Sequence, residues 1–149
     1  MVHARILILE GASGHAFFLK QTLLAEGLAH QVDLVSTAPL AIDRLLSASY
    51  DLVIINLVEA WEQGLQLGFW LCEQSFLYPT ILIVPPDIDQ PLLVKSTPVT
   101  VLTAPISLKE FVNATRAALK STTPTPALHP TQSCEAPTYL FNLYKSLAC

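Results

Sequence analysis

Hydrophobic positions alternate between two patterns along the first 120 residues. Short continuous apolar runs are followed by stretches with helical spacing. The first run, Arg5-Ile6-Leu7-Ile8-Leu9-Glu10, stops at Gly11 and reads as a buried strand. A helix opening at Ser13 or Gly14 and closing at Glu26, before Gly27, follows it. Its stripe is Ala16, Leu19 and Leu23, with Phe17 and Leu24 beside it. Residues 31–36 alternate like a strand at a sheet edge, and Pro39 stands in the first turn of a second helix carrying Ala41, Ile42, Leu45 and Leu46. Residues 51–57 are almost wholly aliphatic, which suits a central strand covered on both faces. A third helix is expected over about 62–74, weakened by Gly64 and Gly68. Residues 80–84 form a fourth strand stopped by Pro85-Pro86. Residues 89–95 read as one or two helical turns, and 99–102 as a fifth strand. Ser107 then caps a last helix, with Glu110 three residues on and a stripe of Leu108, Phe111, Val112, Thr115 and Leu119.

This order is strand–helix repeated five times. Helical crossovers join parallel strands with right-handed sense. The expected architecture is therefore α/β: a doubly wound, five-stranded parallel sheet of order 2-1-3-4-5 with helices on both faces. Functional groups in such sheets gather at the strand carboxyl ends. Here those ends are Glu10-Gly11, Asn56-Leu57-Val58, Val84-Pro85 and Thr103-Ala104-Pro105.

The pattern changes after Lys120. Residues 1–120 read as one domain, and 121–149 as a linker and tail. The linker is rich in Pro and Thr up to Pro137 and carries one charge, Glu135. Apolar character then returns, with Leu140, Leu143, Tyr144 and Leu147 on one helical face. This short segment either packs back on the domain or docks on another protein.

Composition narrows the function classes. Apolar residues make up 52% of the chain and charged residues 13%, about half the usual charged share, so disorder is excluded for most of its length. Eight basic against twelve acidic residues leave no basic patch, and 29 residues after Lys120 are too few for a DNA-reading domain with its own core. No direct nucleic-acid contact is expected. No apolar run is long enough to span a membrane, and Cys72, Cys134 and Cys149 have neither zinc-ligand nor disulfide-framework spacing. A cytoplasmic setting is expected, with no metal and no cofactor. His3, His15, His30 and His129 lack metal-ligand spacing, and Gly11-Ala12-Ser13-Gly14 lacks a phosphate-loop or dinucleotide pattern. No nucleophile–base pair gathers at the strand ends, so an enzyme is not expected.

The strand ends, taken in order, bring a family into view. Ile6-Leu7-Ile8-Leu9-Glu10, Glu26-Gly27, Tyr50-Asp51-Leu52-Val53-Ile54-Ile55, Gly64-Leu65, and Leu102-Thr103-Ala104-Pro105 with Ser107-Leu108-Lys109-Glu110-Phe111 resemble the receiver domain of two-component response regulators over residues 4–120. The resemblance implies a phosphoacceptor aspartate at the end of the third strand, an acidic pair holding magnesium, a lysine on the phosphoryl oxygens, a Ser or Thr sensing them, and an aromatic switch. This sequence has Asn56 at the first position and Gly11 beside Glu10 at the second. It has Ala104, Val84 and Val101 at the last three. An amide does not replace a carboxylate nucleophile, and one glutamate with an amide is a poor magnesium site. The resemblance therefore points to a degenerate pseudo-receiver.

Two functions follow as expectations. The first is a phosphorylation-independent interaction module. It would bind a protein partner or a second copy through the fourth helix, fifth strand and last helix, at Leu92, Leu93, Lys95, Val101, Phe111 and Arg116, or through the tail. The second is a sensor that takes a quinone, a flavin or a similar small molecule in a neutral apolar pocket left at Glu10, Gly11, Asn56, Val84 and Ala104. Stability independent of magnesium is expected in either case.

Overall fold

The computed structural model describes residues 4–11, 14–74, 78–86 and 99–120. The elements in order are β1 (Arg5–Leu9), α1 (His15–Ala25), β2 (Gln31–Val35), α2 (Ala38–Ser47), β3 (Leu52–Asn56), α3 (Trp61–Glu73), β4 (Thr80–Val84), β5 (Val99–Thr103) and α4 (Leu108–Lys120). The five strands form one parallel sheet in the order β2-β1-β3-β4-β5, as the strand–helix alternation requires. Element ends shift from the expected ones by a residue or two. The helical turns expected over 89–95, with Leu92, Leu93 and Lys95, lie outside the described residues, as do the linker and the tail.

The two-residue period of the strands sorts their side chains into two cores. Leu7, Leu9, Val53, Ile55, Leu82 and Val84 point to one face, where Ala41 and Leu45 of α2 and Leu65, Leu67 and Leu71 of α3 cover them. Ile6, Ile8, Leu52, Ile54, Ile81 and Ile83 point to the other, under Ala16, Leu19 and Leu23 of α1 and Phe111 and Ala118 of α4. β3 and β4 are buried at every position, which is why both read as unbroken aliphatic runs. β2 and β5 lie at the edges and keep exposed or half-buried positions.

Local chemistry sets the helix ends. Gly27 adopts φ 70° after α1, and the amides of Gly27 and Leu28 donate to the carbonyls of Leu24 (3.2 Å) and Leu23 (3.0 Å). This pairing satisfies carbonyls that the helix leaves open. The Thr37 hydroxyl accepts from the Leu40 amide at 3.3 Å, and Gln63 of α3 accepts from the Ala38 amide at 2.6 Å, so α3 helps cap α2. The Glu110 amide donates to Ser107 Oγ at 3.0 Å, as the sequence spacing indicates. Leu108 is exposed, and Ala118 joins the buried stripe in its place.

Gly64 does not weaken α3 without return. A Cβ there would stand 2.6 Å from Leu57 Cδ2 and 2.8 Å from Ile55 Cγ2, both on fully buried side chains. The bare glycine lets α3 lie directly on the end of β3. It thereby fixes the start of the segment that follows Asn56.

At the opposite, amino-terminal edge of the sheet, a polar cluster joins β1, β2 and the entry to β3. Arg5 Nη2 lies 3.2 Å from Asp33 Oδ2, and its guanidinium sits 4.9 Å over the Tyr50 ring. The Tyr50 hydroxyl donates to Asp33 at 2.5 Å, and Gln31 Nε2 donates to the same carboxyl. Burial pushes the Asp33 pKa upward, but hydrogen bonds from Tyr50 and Gln31 and the Arg5 charge outweigh it, so the net shift is downward. Burial, with the bond to Asp33, raises the Tyr50 pKa.

Candidate functional site

Register places the expected site residues at one edge. Leu9 stands opposite Ile55 and Asn56 opposite Ile83, so Glu10 and Asn56 are level as their strands end. Val84 pairs with Thr103, and the next residue, Ala104, donates its amide to the Val84 carbonyl at 2.8 Å. The Leu57 amide donates to the Ile83 carbonyl at 2.8 Å and links the two pairs through the backbone.

Glu10 and Asn56 touch directly. Asn56 Nδ2 donates to Glu10 Oε1 at 2.8 Å. Asn56 Oδ1 accepts from the Val58 amide at 3.0 Å, which fixes the turn after β3 and identifies which end of the amide faces Glu10. The other Glu10 oxygen accepts from the Ala16 amide in the first turn of α1. Glu10 is 2% exposed and Asn56 6%, so both lie almost wholly out of solvent. Gly14, the residue before α1, offers no side-chain cap. Glu10 therefore serves as the cap from the neighbouring strand, with its carboxyl at the positive end of the helix. One chain of bonds thus ties the loop at Val58, strand β3, strand β1 and helix α1 together.

Gly11 has its own steric reason. A Cβ there would come within 2.8 Å of the Glu59 carbonyl oxygen, a backbone atom that cannot rotate away. The loop after β3 lies across the position where a second acidic side chain would start. Glu59 also reaches the exposed His15, with Oε2 3.6 Å from Nδ1. Val84 is fully buried and Ala104 half-buried, and neither brings a polar side chain to the edge.

These contacts decide what the edge can do. Both Glu10 oxygens and the Asn56 oxygen already accept protein hydrogen bonds, and Gly11 has no side-chain oxygen. The residues present therefore do not fit a magnesium ion, which needs several free anionic oxygens in octahedral array. Among the described residues, no three His, Cys, Asp or Glu side chains gather at any other point. A neutral, mostly apolar pocket was expected here. Among the described residues the edge instead holds a buried carboxyl engaged by an amide and a helix end. A cleft of about 430 Å³, lined by residues 45–50 and Tyr78, lies at the opposite edge of the sheet.

The expected interaction surface needs one correction. Phe111 is fully buried against the sheet beneath α4 and cannot contact a partner. A helix-spacing stripe marks the inward face, and Phe111 belongs to that stripe. Val101 is half-buried against the α2–α3 side of the core, and Arg116 is exposed. The Glu10–Ala16 bond was not anticipated. The absence of a Ser, Thr, Asp or Asn side chain at Gly14 was the available sign that α1 needed a cap from elsewhere.

No protein-family model matches the chain, and no curated protein matches it. Solved structures do. The receiver domain of the PhyR response regulator of Erythrobacter litoralis superimposes with a TM-score of 0.68 at 20% identity, covering 86% of this chain and 98% of that one. The chain has a receiver-like fold. The signal receiver domain of a signal transduction histidine kinase from Syntrophus aciditrophicus gives a TM-score of 0.67 at 22% identity, over 85% of this chain and 97% of its own. A response regulator receiver protein from Sinorhizobium medicae gives 0.66 at 18% identity, over 80% and 97%. Among the described residues no helix is long and apolar enough to cross a membrane.

Proposed function

We propose that this chain is a phosphorylation-independent regulatory interaction module, a receiver-like domain whose phosphorylation site has become a structural joint. The observation that carries this reading is the bond from Asn56 Nδ2 to Glu10 Oε1. At the position where the resemblance puts the nucleophilic carboxylate stands an amide. Its nitrogen lone pair is delocalised, and its oxygen already accepts the Val58 amide. The remaining acidic residue holds α1 rather than a metal. Ala104 supplies no cation to balance a phosphoryl group. The same arrangement argues against catalysis through Glu10 and Asn56, whose side-chain oxygens are already engaged in protein hydrogen bonds.

In this reading regulation runs through occupancy of a surface. The face proposed to meet a protein partner or a second copy takes Val101 and Arg116 from the described residues, and Leu92, Leu93 and Lys95 are its candidates from the sequence between β4 and β5. Residues 1–120 form the module, and 121–149 a linker and tail. Ligand sensing gains no support at the strand ends, where Glu10 and Asn56 occupy each other.

Affinity capture from native lysate tests the reading. The full chain is used as bait with excess chelator, and again with magnesium and acetyl phosphate. The same partner in both arms, lost from an Arg116→Glu bait, is the expected result. Capture only in the phosphodonor arm would overturn phosphorylation independence. No specific partner in either arm, with a monomeric chain, would overturn the interaction role.

A further inference from the structure

Helix α1 differs from the other helices of the sheet. Seven of its eleven residues are apolar, and they run around the whole helix rather than along one stripe. Ala16, Leu19 and Leu23 face the core, while Phe17 and Phe18 point outward, 59% and 54% exposed. A helix that is apolar all round is normally covered on all sides. Two adjacent phenylalanines in solvent mark an uncovered face.

The size of that face limits what covers it. A buried phenylalanine hides roughly 150–250 Å², so the exposed parts of these two offer on the order of 200 Å². A stable complex or dimer buries about 800 Å² on each partner. The face is too small to hold a free protein by itself. It suits a short helix supplied at high local concentration by a tether, where linkage alone gives an effective concentration of about millimolar.

The sequence after Pro137 has the apolar pattern of such a helix. Leu140, Leu143, Tyr144 and Leu147 repeat at helical spacing, while Asn142, Lys145 and Ser146 fall on the other side. The tether reaches. Helix α4 lies beside α1 on the same face of the sheet and ends at Lys120, while Phe17 and Phe18 stand at the other end of this layer. The return path along thirteen residues of α4 is about 20 Å. Residues 121–137 include four prolines, and an extended Pro-rich run of that length spans roughly 50 Å. We propose that residues 138–147 fold back as a helix onto the outer face of α1, over Phe17 and Phe18. The tail then acts as a removable cover. This adds a regulated second face to the interaction module and rests on that reading only for its consequence, not for the docking.

Paramagnetic broadening on the full chain tests the docking. A nitroxide is placed on Cys149 after Cys72→Ser and Cys134→Ser, and amide signals are recorded on nitrogen-15 protein. Loss of the Phe17, Phe18 and Gln21 signals is expected, with recovery when Leu143→Asp and Leu147→Asp are added. Mixing labelled chains with spin-labelled unlabelled chains is expected to leave those signals intact. Broadening in the mixture as well would assign the cover to a second copy and overturn the proposal, as would no broadening in either sample. If the serine changes disturb folding, the nitrogen-15 native chain without spin label is compared with its Leu143→Asp/Leu147→Asp variant. Shifts at Phe17 and Phe18 support docking, and identical α1 signals refute it. Partner capture through Arg116 is read separately, so either reading can fail while the other stands.

Discussion

Changing Asn56 to aspartate tests the joint at the strand ends with a near-isosteric substitution. In the native chain Nδ2 donates to Glu10 Oε1 at 2.8 Å, inside a region where both residues are almost wholly buried. The substitution removes that donor and sets two carboxyls face to face. A hydrogen bond to a charged group is worth about 1.5–3 kcal/mol. Two unit charges about 4 Å apart repel by roughly 4 kcal/mol at an effective dielectric of about 20. Proton uptake by the new pair relieves most of the second quantity, so the expected loss at neutral pH is about 2–4 kcal/mol. The sign with pH follows from that proton. The pair holds it more tightly folded than unfolded, so the variant keeps its stability below the ordinary carboxylate range. It loses stability as pH rises toward neutral. Urea unfolding of Asn56→Asp and native chain at acidic and neutral pH measures this. The gap should be small in acid and wide at neutral pH, and acetyl phosphate with magnesium should not phosphorylate the variant, because Gly11 and Ala104 are unchanged. Equal stability of the two chains at neutral pH, or a phosphorylated variant, would refute the reasoning.

Other outcomes follow from the same contacts. Gly11→Asp should destabilise by about 1–3 kcal/mol in chemical denaturation, because its Cβ meets the Glu59 carbonyl at 2.8 Å. Gly64→Ala should also lower the thermal midpoint, although alanine favours helix by about 1 kcal/mol, because Leu57 and Ile55 leave no room. Phe111→Ala should cost about 3–5 kcal/mol, whereas Arg116→Ala should leave stability nearly unchanged and affect only binding. Asp33 carries a lowered pKa, so its contribution is full above the ordinary value of 3.8 and is lost as pH falls through the folded value. Asp33→Asn should therefore flatten the acid limb of a stability–pH profile. The thermal midpoint of the native chain should not depend on magnesium.

Much of the fold was legible in the sequence because burial is periodic. β3 and β4 are covered on both faces and read as aliphatic runs, while β2 betrays its edge place through Asp33. The α4 stripe identified its inward face, yet the same pattern misled where Phe111 was also assigned to a surface. Spacing says which residues share a helix face, and packing says whether that face is covered. At the strand ends the residues were readable one by one, but their contacts were not. Nothing in the sequence states that Glu10 caps α1 or that Asn56 faces it, since both depend on the register of β1 against β3. Nor does it show that the Glu59 carbonyl lies over Gly11, which depends on how closely Gly64 lets α3 approach.

The most direct test of phosphorylation independence is the intact mass of the native chain after incubation with acetyl phosphate and magnesium, set beside an active receiver domain treated identically. The account predicts an unchanged mass for this chain while the control gains a phosphoryl group. A phosphoryl adduct lost by Asn56→Ala or Glu10→Ala would contradict it.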